Sequence, residues 1–293
     1  MSAASSLLLC GDSFGEAQRA ALATHRSRLR IVDTPIPNDA TQMPDGVDAI
    51  WIGAGSADAG RLAATALREG RAVLCDAGLT QQELAECVRL VRGHGAPLRF
   101  GAATARLPAV RQLSAATRLL RPRLRAIHAE CDPLRLPALI ETLGTALGRL
   151  RPWRLQATSI DDGTQRIHGE IAGVPLRLHV RDAVGHLRLT LDSIDGELRL
   201  IDAHGPLRWT PRGVDLPLDL GDHAPADPLA DWARAIGADL QDLLDALETP
   251  ATPLPADLAQ RLALAQLLQE LRTVLGCDAG DALVAEDLSG NRI

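Results

Sequence analysis

The chain has 293 residues and a mass of 31.1 kDa, with 46% hydrophobic and 23% charged residues, enough for two ordinary domains with cores of their own. All 31 basic side chains are arginines and there is no tyrosine, so Schiff-base lysines and lysine or tyrosine general acids are excluded at every position. The net charge of −6 with scattered arginines excludes a basic nucleic-acid footprint, and the absence of any apolar run near 20 residues excludes a helical membrane span. Five dispersed cysteines (Cys10, Cys75, Cys87, Cys131, Cys277) without a CxxC pair point to free thiols in a reducing compartment, the cytoplasm.

The first third alternates short apolar runs with helical patterns. Strands are predicted at Leu7–Cys10, Leu29–Val32, Asp48–Ile52, Ala72–Leu74 and Leu98–Phe100, and helices at Ala17–Thr24, Arg61–Glu69 and Gln81–Gly93. That order implies parallel βαβ units in a Rossmann-like sheet over residues 1–106. Residues 107–150 are Arg-rich and predicted to be helical. From Trp153 to Trp209 the pattern has period two, with Leu176, Leu178 and Val180 opposite Arg177, His179 and Arg181, and Leu187, Leu189 and Leu191 opposite His186, Arg188 and Thr190. This predicts an open antiparallel sheet with one polar face, with turns at Asp161-Asp162-Gly163, Ala172-Gly173, Gly185 and Asp195-Gly196. Leu229, Trp232, Ile236, Leu240, Leu243 and Leu247 mark one C-terminal helix, and Leu258 to Val274 a second after a Pro-rich break. The fold expected is therefore α/β. It combines an N-terminal Rossmann-like parallel sheet with an α+β domain over 107–276, followed by a polar tail at 277–293.

Gly11-Asp12-Ser13-Phe14-Gly15 joins the first strand to the first helix, where backbone amides and the helix terminus suit a phosphate. The loop has serine where GxGxxG has its second glycine, so a plain tight turn is the competing reading. Asp33 ends the second strand, where an acid binds a ribose hydroxyl or simply caps a turn. The same pentapeptide reads G-x-S-x-G, and Cys10-Gly11-Asp12-Ser13 resembles the first block of GDS-type esterases, which implies Ser13 as a nucleophile. That family also needs a late D-x-x-H; here the last histidine is His223, preceded by Asp222, and no D-x-x-H follows Trp209. The histidines have no metal-ligand spacing, so no metal is expected. The arginines of the polar sheet face (Arg177, Arg181, Arg188, Arg199) form either a solvated face or an anion-binding or partner surface.

The element order resembles the Gfo/Idh/MocA oxidoreductases. Gln81–Leu90, His94-Gly95, Leu107-Pro108-Ala109-Val110-Arg111, Leu139–Trp153, Gly196–Leu200 and His204-Gly205-Pro206-Leu207-Arg208-Trp209 are similar to thiazolinyl imine reductases, over nearly the whole chain. The resemblance implies NADPH-dependent reduction of a thiazoline C=N bond held on a nonribosomal peptide synthetase carrier domain. The chemistry departs from that pattern. Where the family has Glu-His-Pro or Glu-Lys-Pro this chain has Asp76-Ala77-Gly78, and where it has His-Tyr this chain has Ala103-Thr104. The family's proton-donor positions thus become Ala77, Ala103 and Thr104, leaving Asp76 and Glu141 as polar candidates beside Ser13 and Asp12. An acid at Asp33 would repel a 2′-phosphate. Loss of a general acid forfeits about 10²–10⁴ in rate. The expectation is a non-catalytic or repurposed member that binds either no cofactor or NAD(P)H, and that pairs through its open sheet with a second copy or a homologue, or docks a carrier domain.

Overall fold

A computed structural model describes residues 4–11, 14–32, 42–54, 56, 58–159, 165–181, 185, 187–220, 227–249 and 258–276. Two compact units are present. The first comprises Met1–Ala103, Leu229–Ala265 and Ala282–Ile293, and the second Thr104–Pro228 and Gln266–Asp281.

In the first unit, β1 (Ser5–Cys10), β2 (Leu29–Val32), β3 (Ala49–Ile52), β4 (Ala72–Cys75) and β5 (Leu98–Phe100) form one parallel sheet in the order β2-β1-β3-β4-β5. The chain steps outward to β2 by way of α1 (Glu16–Thr24), then returns past β1 and steps the other way through α2 (Ala59–Arg68) and α3 (Gln81–His94). Right-handed crossovers in opposite directions place α1 on one face and α2 and α3 on the other. The central strands β3 and β4 are buried on both faces, so they read as continuous apolar runs, Ala49-Ile50-Trp51-Ile52 and Ala72-Val73-Leu74-Cys75. Ile50, Ile52, Val73 and Cys75 meet Leu62, Leu67, Leu84, Cys87 and Leu90 in one core, against which Leu258, Leu262 and Ala265 also pack. Thr80 starts α3 through a reciprocal capping box with Glu83, and Gly95 ends it in the left-handed conformation.

The helix α7 (Pro228–Glu248) belongs to this first unit, whereas the sequence reading put both C-terminal helices with the second domain. Its ties are polar as well as apolar. Arg28 pairs with Asp245 and Glu248, a His25 ring nitrogen is 3.0 Å from the Gly237 carbonyl, and the buried Asp239 carboxylate accepts from the Ala102 amide at 2.9 Å. Helical spacing shows which face is buried but not which sheet it covers.

In the second unit, α4 (Ala103–Arg106, beginning at the unit boundary) and α5 (Pro108–Leu120) precede β6 (Leu124–Cys131) and α6 (Leu136–Leu147). The strands β7 (Trp153–Ser159), β8 (Gln165–Ile171), β9 (Val174–Val180), β10 (Leu187–Ser193), β11 (Gly196–Leu200), β12 (Leu207–Pro211) and β13 (Leu218–Asp219) complete an eight-stranded sheet ordered β13-β12-β11-β10-β6-β9-β8-β7. The region read as helical therefore contains the central strand. In β6 the residues Ile127, Ala129 and Cys131 are buried and His128 and Glu130 face the other way, a period-two pattern lying between two helices. Because β6 pairs parallel with β9 and antiparallel with β10, the sheet is mixed at its centre and antiparallel elsewhere. The expected turn at Ala172-Gly173 is present, with both residues at positive φ (55° and 83°), the geometry of a tight β8–β9 hairpin. The last helix, α8 (Leu258–Val274), is divided between the units, its second half bonding to this one through Trp153 Nε1 on Glu270 (2.6 Å).

Candidate functional site at the carboxyl ends of the parallel strands

The strand order reverses between β1 and β3, and in open parallel sheets that point, at the carboxyl ends of the strands, is where ligands bind. The backbone here continues the ladder one residue beyond each strand. The Gly53 amide donates to Cys10 O (2.9 Å), Asp76 N to Ile52 O (2.9 Å) and Gly101 N to Cys75 O (3.0 Å). Gly11 has φ +113°, a conformation that L side chains rarely adopt, so the exit from β1 requires glycine. Gly15 is the N-cap of α1 and brings no side chain to the first amides of the helix. These groups suit a pyrophosphate, although Glu16 adds an acid to the first helical turn. Asp12, Ser13 and Asp33 lie outside the described residues, as do Asp222 and His223 of the hydrolase reading.

Side chains have organised this end of the sheet around Trp51. Its indole is fully buried in β3 and meets the Phe14 ring edge to face at 5.0 Å between centroids. A buried indole N–H needs an acceptor, and the Asp76 carboxylate accepts it at 2.7 Å. The carboxyl group is also enclosed by Gly101, since a Cβ there would come within 2.0 Å of Asp76 Oδ1. Of the sequence-derived candidates, Asp76 is therefore present in the first unit at the end of β4, with Ala77 buried next to it and Ala103 in the same unit. Thr104 and Glu141 belong to the second unit, the first buried at the start of α4 and the second half-buried on α6. Neither Trp51 nor Asp239 was singled out from the sequence. A tryptophan inside a fully apolar strand is a signal in itself, because its nitrogen demands a polar partner from elsewhere in the chain.

Among the described residues the thiols do not add a nucleophile. Burial pushes Cys10 and Cys131 up to about 12 and Cys87 to about 11, and raises Cys75 as well. Among the described residues no group of three His, Cys, Asp or Glu side chains is placed to hold a metal ion, and no helix is long and apolar enough to cross a membrane.

No protein-family model and no curated protein matches the chain. Solved structures do. An oxidoreductase from Sinorhizobium meliloti is 15% identical, with TM-score 0.66 over 95% of this chain and 99% of that one. An NAD-binding oxidoreductase from Klebsiella pneumoniae is 13% identical, with TM-score 0.68 over 94% and 97%. Levoglucosan dehydrogenase in complex with NADH and L-sorbose is 12% identical, with TM-score 0.67 over 93% and 96%. At such identities the likeness is one of architecture: the chain shares the fold of these structures, with a Rossmann-type parallel-sheet unit and a separate mixed-sheet unit.

Proposed function

We propose that this chain is a thiazolinyl imine reductase-like protein of thiazoline-type nonribosomal peptide assembly that has kept the oxidoreductase scaffold and lost standard C=N reduction. The observation that carries this reading is the end of β4. The carboxylate of Asp76 is engaged by Trp51 and closed in by Gly101, and its neighbour, the family's proton-donor position, is the buried Ala77. With Ala103 at the other donor position and no lysine or tyrosine in the chain, none of the family's general acids remains. Such a protein acts by binding, either to a carrier domain or, through its open sheet, to a second copy or an active homologue, in the cytoplasm.

A nicotinamide dinucleotide, when bound, supplies a hydride. Gly11, Gly15 and the first amides of α1 are the groups that would hold its pyrophosphate, and they favour a second reading in which the chain is an active NAD(P)H-dependent reductase that takes its proton from water or substrate. The two readings separate in one assay. A thiazoline thioester on a carrier domain is mixed with the protein and NADPH or NADH, and the loss of nicotinamide absorbance is followed alongside binding of the loaded carrier. Carrier binding without nicotinamide oxidation supports the first reading, and saturable oxidation with thiazolidine formation supports the second.

A further inference from the structure

The polar face of the eight-stranded sheet is built in register. One cross-strand row runs Gln156, His168, Arg177, His128, Thr190, Arg199, and the next runs Arg166, His179, Glu130, Arg188. Over the middle strands these rows enclose an open concavity of about 410 Å³. Three guanidinium groups (Arg166, Arg177, Arg188) line it against one carboxylate, Glu130. That carboxylate is shared: it pairs with Arg181 and lies 3.8 Å from Arg188. Thr190, more than nine-tenths buried, lines the same concavity from β10. A chain of net charge −6 has thus gathered an excess of positive charge in one concave place, on rigid strands.

We propose that this concavity is a binding site for a compact polyanion, a phosphate ester or a small polycarboxylate, held by Arg166, Arg177 and Arg188 with the Thr190 hydroxyl and the three imidazoles. Planar guanidinium groups bind both oxyanion types through paired N–H donors. The site lies wholly within the second unit, and of the modes of action given above it is compatible with carrier docking, in which the polar face of the sheet stays uncovered. Protonation of His179 adds positive charge to the concavity. Burial first, and the charge of Arg166 next, hold His179 below its ordinary value of 6.5, with Glu130 opposing and His168 and Arg181 adding to the depression. A bound anion reverses that depression by linkage.

Calorimetric titration of the full chain at low ionic strength with inorganic pyrophosphate, and separately with citrate, tests the site. Saturable binding is expected, weakened about tenfold or more by Arg177→Gln or Arg166→Gln. Arg208→Gln, on the same face but outside the concavity, is expected to change it by less than about twofold. Circular dichroism establishes that each variant is folded, and the two arginine variants stand in for each other if one is not. Tighter pyrophosphate assigns a phosphate ester, and tighter citrate assigns a carboxylate. No saturable heat with either anion, or equal weakening by Arg208→Gln, overturns the proposal.

Discussion

The Trp51 indole N–H and the Asp76 carboxylate, 25 residues apart in sequence, meet at 2.7 Å at the carboxyl end of the parallel sheet. Parallel register explains the meeting: Ile52 pairs with Cys75, so the residue after β4 arrives beside β3 one step past the ladder. An acid at this position, read as a candidate for chemistry, is thereby a partner for a buried donor. Removing it in Asp76→Ala is expected to cost about 1–3 kcal/mol and to alter the tryptophan emission, while Asp76→Asn, whose amide carbonyl still accepts, costs about 1 kcal/mol or less. Denaturant unfolding of the two variants checks this, and equal losses would contradict the role given to the carboxyl oxygen.

Gly60 offers a test with a reversed sign. Alanine for glycine inside a helix ordinarily stabilises by about 0.5–1 kcal/mol. Here a Cβ would fall 2.2 Å from Glu83 Oε1, and Glu83 is already used in the α3 capping box with the Thr80 amide (2.8 Å) and hydroxyl (2.9 Å). Gly60→Ala is therefore expected to destabilise by about 1 kcal/mol through loss of the cap. In a Glu83→Ala background the same change becomes neutral or stabilising, and a double-mutant cycle reads the difference.

Ala172 has φ 55° in the turn between β8 and β9. The left-handed region costs an alanine about 1–2 kcal/mol relative to residues that tolerate it. Ala172→Gly or Ala172→Asn is expected to raise the thermal midpoint, corresponding to a gain of about 0.5–1 kcal/mol. A lower midpoint would contradict the turn geometry.

The buried thiols give the chain a pH signature. Cys10 and Cys131 near 12 and Cys87 near 11 lie above the ordinary 9.0, first through burial, with Asp132 and Glu130 adding at Cys131 and Glu83 and Glu86 at Cys87. A raised folded-state value means the neutral thiol is favoured in the fold. The corresponding stability is fully present below pH 9 and is lost as pH rises through 11 to 12. At about pH 8 their thiolate fraction is about one part in a thousand or less. A Cys277→Ala variant is expected to react with a thiol reagent only after denaturant is added, and rapid labelling of the native variant would contradict the burial.

Much of the fold is legible in sequence because buried parallel strands are short apolar runs separated by amphipathic helices. The observed β1 to β5 overlap the runs at Leu7, Leu29, Asp48, Ala72 and Leu98, and the alternation around Leu176 and Leu187 marks a one-sided sheet. What escapes is non-local. β6 hides its alternation among arginines and helix-forming alanines between two true helices, and only its pairing with β9 and β10 makes it central. α7 carries a helical pattern that is indifferent to which sheet it covers. Asp239 is buried because the Ala102 amide needs it, a need no local pattern announces. At the site, Ala77 and Ala103, which stand where the resemblance implies proton donors, are read directly from the sequence, whereas the engagement of Asp76 requires knowing that Trp51 is its neighbour.

The most direct test of the central claim is turnover of NADPH and NADH by the purified chain in the presence of a carrier-bound thiazoline thioester, with the thiazolidine product followed by mass spectrometry. Without the family's proton donors the account predicts no nicotinamide oxidation above the protein-free rate and no thiazolidine. Saturable oxidation with stoichiometric thiazolidine would contradict it and make the chain a working reductase whose proton comes from outside the positions of Ala77 and Ala103.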